Sequence, residues 1–241
     1  MASCKVYKLN PNKIVEFDRI MENLIGKEKE GIEYDSIEYK DEEIQLFLYV
    51  VEKKENEFGI EYTVVMDDYF YSWNFKEGSF PVKISKTFQV QIYRKNLENF
   101  LSVFAPREYA IKFVDIINSL MPEEKMIWFV YFDLDGKKEE IKQKFPEIRR
   151  FSAEQIKNDH VKRASVGGTR LGDSQAWQRY IETFKGTLKR IIIKYKEIYI
   201  SISSDGVIFG RSKLFDENKE EFVHEILQDL IQIDAIKVIE S

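Results

Sequence analysis

The sequence predicts an α+β protein, with a helix on a mainly antiparallel N-terminal sheet followed by a mixed α/β C-terminal half. Three observations predict it. Apolar residues recur at helical spacing within residues 14–25, 109–121 and 222–231, whereas residues 31–93 alternate with period two or fall into short apolar runs. The clearest central strand, residues 125–133, bulky and apolar on both faces, lies between helical stretches. The composition, 44% hydrophobic and 33% charged with only 5 Pro and 11 Gly, fits a large core under a solvated surface with short connections.

In chain order, residues 5–9 read as a short strand. Asn12 stands where an N-cap would, the stripe Ile14, Phe17, Ile20, Met21, Leu24 and Ile25 follows, and Gly26 closes that helix. Strands are expected at 32–39, 43–51, 60–66, 69–75 and 87–93, with turns at 55–59 and 77–81. Tyr69, Tyr71, Trp73 and Phe75 share one strand face and read as core under the first helix. Leu97, Phe100, Leu101 and Phe104 form a helical stripe, and Pro106 begins the next helix. A charged helix is expected at 137–144, no regular pattern at 151–173, and a helix at 175–184. Strands at 188–195 and 198–203 lead to an Asp205-Gly206 hairpin turn and a strand at 207–211. A helix at 217–231 and an edge strand at 236–239 complete the chain. The boundary between halves falls near residue 95, giving 1–94 and 95–241 with a shared core.

Several function classes are poorly supplied. Cys4, the one cysteine, can form neither an internal disulfide nor a thiolate metal site within one chain. No N-terminal apolar stretch reads as a signal peptide, and seven apolar residues at 126–132 are too few to span a bilayer. A cytoplasmic protein without a membrane partner is expected. The two histidines, His160 and His224, sit in no zinc or iron motif, so no cofactor is expected. There is no Gly-x-Ser-x-Gly nucleophile elbow.

The sharpest enzymatic motif is Phe132-Asp133-Leu134-Asp135-Gly136 at the end of the apolar strand. It resembles the first motif of haloacid-dehalogenase-type phosphatases. That resemblance implies Asp133 as nucleophile, Asp135 as acid/base and Mg²⁺ as cofactor, with Gly172-Asp173-Ser174 as a later metal-binding segment. Lys137 stands where the family has a threonine, and the motif follows more than half the chain instead of opening it. A metal-dependent phosphoryl-transfer enzyme is therefore the alternative reading. A protein-interaction module or assembly subunit is a second alternative.

The leading reading comes from charge. The chain carries −5 overall, yet residues 147–196 hold 12 Lys/Arg against 5 Asp/Glu. Within them lies the loop Gly167-Gly168-Thr169-Arg170, which runs into a helix. Arg149, Arg150, Lys162, Arg163, Gly167, Gly168 and Arg170 form the candidate site for an anionic partner, with nucleic acid first. Trp177, Tyr180 and Phe184 are interleaved, but they share one helical face and read as core. A non-catalytic DNA- or RNA-binding protein is the function expected.

Overall fold

The computed structural model describes residues 2–240 except 29, 77, 95, 96, 98, 155–162, 172, 173 and 180–185. Strand β1 (Ala2–Leu9) leads through a 3-10 turn (Pro11–Lys13) to helix α1 (Ile14–Asn23). Asn10, not Asn12, caps this start: its side chain accepts from the Asn12 N–H at 3.0 Å. A meander follows of β2 (Ile32–Tyr39), β3 (Glu42–Asn56), β4 (Gly59–Asn74), β5 (Gly78–Tyr93) and β6 (Phe100–Phe104). Helix α2 (Arg107–Ser119), with Pro106 at its N-cap, leads to β7 (Ile127–Phe132). The second half runs α3 (Lys138–Lys144), β8 (Ile148–Glu154), β9 (Arg163–Gly167) and α4 (Gln175–Arg179). Then come β10 (Thr187–Tyr195), β11 (Ile198–Ser203), β12 (Val207–Gly210), α5 (Lys213–Glu217), α6 (Lys219–Gln232) and β13 (Ile236–Ile239).

The fold is α+β with a mostly antiparallel sheet. The strands run in the order β2-β3-β4-β5-β6-β1-β12-β11-β10-β8-β9, and β7 joins β1 to β13. The C-terminal strands, expected in a mixed sheet, pair antiparallel. Short connections explain this. Two residues join β10 to β11 and three join β11 to β12, whereas a parallel pair needs a long crossover. Gly206 turns the second hairpin with a φ of 77°, and a Cβ there would lie 2.5 Å from the Val130 carbonyl oxygen.

Strand β1 is the joint of the sheet. Its residues 2–5 pair with β12, 5–8 with β6 and 7–9 with β7. Cys4 and Val6 enter a core with Ile202, Ile208, Phe222 and Ile226, while Tyr7 and Leu9 enter another with Phe17, Met21, Tyr62 and Phe113. Strand β6 divides likewise, with Phe100 and Phe104 on one side and Leu101 and Val103 on the other. Burial on both faces erases alternation, so the helical stripe expected at 97–104 is a strand instead.

Other differences are equally physical. The two strands expected at 60–66 and 69–75 are one, because Asp67 is satisfied within the sheet. It is buried and accepts from the Ser85 hydroxyl at 2.8 Å and the Phe47 N–H at 3.1 Å, with Lys83 Nζ at 2.6 Å. Residues 151–173, expected to be irregular, include the hairpin partners β8 and β9. The helix expected at 217–231 is α6, and a short helix not expected from sequence, α5, precedes it, its start capped by the Ser212 hydroxyl accepting from the Phe215 N–H at 3.0 Å.

The largest correction concerns the aromatic strand. Beyond Met66 the β4–β5 ribbon continues past its pairing with β3, out to a turn at residues 74–78. Tyr71, Trp73 and Phe75, expected in the core, are 59%, 61% and 95% exposed. Pro81 is tolerated opposite Tyr71 because no third strand pairs with β5 there. No described helix is long and apolar enough to cross a membrane.

Candidate anion-binding face

The sheet β9-β8-β10-β11-β12-β1 has a buried and an open side. Phe151, Ala153, Ile191, Ile193, Ile200, Ile202 and Ile208 point inward and pack with Phe215 of α5 and Phe222, Val223 and Ile226 of α6. The residues between them face outward, and their register aligns them in two rows across six strands. One row is Gly167, Arg150, Ile192, Ser201, Phe209 and Ser3; the next is Ser165, Ser152, Arg190, Ser203, Val207 and Lys5, of which Ser203 and Lys5 are buried and close the open side at that end. At the usual strand spacing each row is about 24 Å long.

A depression of about 450 Å³ opens on this face, lined by Arg149, Arg150, Arg190 and Arg211 together with serines, Ile192, Tyr199 and Phe209. No carboxylate lines it. Arg149 and Arg150 are adjacent in sequence and would ordinarily point to opposite faces. A register shift between β8 and β10 at Ile192/Ile193 gives β8 an extra residue, so both arginines reach the same depression. Arg149 is paired with Glu147 at 2.8 Å. Among the described residues no ion pair engages Arg150, Arg190 or Arg211. The Arg211 guanidinium stands 5.5 Å from the Phe209 ring centroid, and Tyr199 is more than half exposed beside them.

Four of the candidates from sequence come together here. Gly167 pairs with Arg150, and a Cβ on it would touch the Arg150 side chain at 3.5 Å. The Gly168 N–H donates to the Arg149 carbonyl at 3.0 Å, so it is committed to the backbone. Arg163 lies at the far end of β9, paired across the strands with Glu154 at 3.2 Å. Arg170 is exposed in the following loop with a φ of 49°, away from the depression's lining. Lys162 lies outside the described residues, as do His160, Tyr180, Phe184 and the Gly172-Asp173 pair. The helix start beyond the loop is capped by Ser174, whose hydroxyl accepts from the Trp177 N–H at 3.3 Å. Trp177 is fully buried.

Arg190, Tyr199, Phe209 and Arg211 are members of the site that are not among the candidates from sequence. Their signal was present as the outward positions of alternating strands, but the register that aligns them is a tertiary fact.

Next to this depression lies another of about 630 Å³, whose walls include Asp133, Asp135, Lys189, Arg190 and Lys237. Both aspartates are engaged. Asp133 meets Lys237 Nζ at 2.5 Å and accepts from the Gly136 N–H at 2.9 Å. The Lys237 contact, with the Gly136 N–H assisting, holds its pKa below the ordinary carboxylate value. Asp135 accepts from the Leu188 N–H at 3.1 Å, anchoring the start of β10. Gly136 is required by closeness, since a Cβ would lie 2.5 Å from an Asp133 oxygen. The Asp-x-Asp-Gly motif thus has a structural role in joining β7, β10 and β13. Among the described residues no group of three or more His, Cys, Asp or Glu side chains is placed to hold a metal.

A depressed carboxylate pKa contributes stability that is present above the unfolded pKa, about 4, and is lost as pH falls through the folded value. Lys237→Met is expected to remove that contribution. Denaturant unfolding should show the variant weaker near neutral pH, with the difference closing on acidification below pH 4.

No family model matches the chain, and no curated protein matches its sequence. The functional reading therefore rests on the residues themselves.

Proposed function

We propose that this protein is a non-catalytic binder of an anionic strand, single-stranded nucleic acid foremost, across the outer face of β9-β8-β10-β11-β12. The observation that carries the reading is the depression lined by four arginines and no carboxylate, with Tyr199 and Phe209 in the same surface. Guanidinium groups pair with phosphate oxygens in a bidentate way, and exposed rings supply platforms on which bases stack irrespective of sequence. The net charge of −5 does not oppose this, because the depression is local and three of its four arginines, Arg150, Arg190 and Arg211, make no ion pair among the described residues.

The test is fluorescence-anisotropy titration with labelled single- and double-stranded DNA and RNA at several salt concentrations. Three phosphate contacts on a single strand imply roughly twentyfold weaker binding between 50 and 200 mM salt. Absence of binding at low salt would overturn the reading.

The phosphoryl-transfer alternative keeps one supporting observation, the depression that holds Asp133 and Asp135 beside Arg190. It requires Asp133 to leave Lys237 and Gly136. Mg²⁺-dependent hydrolysis of a generic phosphate ester, abolished by Asp133→Asn, would favour it over binding alone.

A further inference from the structure

We infer that the depression beside the arginine face is a site for a terminal phosphate, a phosphomonoester at one end of the strand, held by Lys189 and Arg190. This site presupposes the strand-binding face proposed above and takes the end of the same ligand. The depression of about 630 Å³ shares Ser152 and Arg190 with the arginine-lined one. It lies where the open face stops. Strand β11 ends at Ser203, β10 begins at Thr187, and the remaining walls include β7, the turn after it and β13, at Tyr131, Asp133 and Lys237. A strand laid along β10 from Ile192 through Arg190 arrives here at the limit of the surface that carries it.

A bulge builds the cation pair. Leu188 pairs with Ala153 and Arg190 with Ser152, so β10 holds one residue, Lys189, with no counterpart in β8. Strict alternation would send Lys189 to the side opposite Arg190. The extra residue re-aims it, and both side chains line the depression. On β8 the same device brings Arg149 and Arg150 to one surface.

Charge names the ligand. Four carboxylates also line the depression, and each has a cation of its own. Lys237 stands 2.5 Å from Asp133, Arg107 3.1 Å from Asp205, Arg163 3.2 Å from Glu154 and Lys138 3.9 Å from Asp135. Lys189 and Arg190 make no ion pair among the described residues, so they are the excess, two positive charges on adjacent residues. A phosphodiester inside a strand carries one negative charge, whereas a phosphomonoester carries about 1.5 to 2 at neutral pH. The pair matches the second, and the Ser204 hydroxyl in the same lining adds a donor for its oxygens.

Competition against an internally labelled oligonucleotide tests this, using unlabelled strands of one sequence that end in a 5′-phosphate, a 3′-phosphate or hydroxyls alone. At least one phosphorylated strand should bind about tenfold or more tightly than the hydroxyl-ended strand, and the arm that gains shows which end enters. Lys189→Gln should abolish that preference while changing the affinity for the hydroxyl-ended strand little. Lys189→Arg, which keeps the charge, should retain it, with circular dichroism unchanged in both variants. Equal binding of all three strands would overturn the terminal-phosphate site and leave the strand-binding face standing, as would a preference that survives Lys189→Gln. No binding of any strand at low salt would overturn the face and this site together.

Discussion

Truncating Phe151 to alanine is expected to lower the unfolding free energy by about 3–5 kcal/mol. The ring is 1% exposed and meets Trp177 edge-on at 5.3 Å inside the core beneath the arginine face. Strand β8 is held on both sides, by β10 and β9, so the backbone cannot collapse into the space left. The neighbouring Arg150 points the other way, into the open depression, and makes no ion pair among the described residues. Arg150→Ala should therefore change stability by only about 0.5 kcal/mol. Urea denaturation of the two variants measures the contrast. A comparable loss in both would contradict the assignment of inner and outer faces.

The largest functional effect is expected from Arg150→Glu/Arg190→Glu. The two residues lie in adjacent outward rows, Arg150 opposite Ile192 and Arg190 opposite Ser152, so a phosphate backbone crossing the face meets both. Each charge-assisted contact contributes about 1.5–3 kcal/mol, and losing two should weaken oligonucleotide binding by roughly 100-fold or more. Reversal adds repulsion and should flatten the salt dependence. Stability should stay close to that of the wild type, since both side chains are exposed. Arg163→Glu serves as the control. Arg163 already faces Glu154 across the strands, and its reversal should alter binding far less.

The parts of the fold that sequence revealed were those with one-sided burial or a decisive turn. Helix α1 exposes one side and buries Phe17 and Met21, so its stripe stands out. Asp205-Gly206 announces its hairpin because few residue pairs accept that backbone. Strand β6 was misread because all five of its residues are buried, and the aromatic ribbon because alternation looks the same whether the ring face meets a helix or water. The candidate site was legible only where its members are close in sequence. Arg149, Arg150, Gly167 and Gly168 were found through local charge and glycine content. Arg190 and Arg211 reach the same depression only through the register of β8, β10, β11 and β12. Conversely, Arg163 looked available until the β8–β9 pairing set Glu154 against it.

Amide chemical-shift mapping during titration with a single-stranded oligonucleotide shows whether the open face of the C-terminal strands takes an anionic strand. Perturbations concentrated at Arg150, Ser165, Arg190, Tyr199, Ser201, Phe209 and Arg211 are expected, fading as salt rises. Perturbations elsewhere with this face silent, or none at low salt, would contradict it.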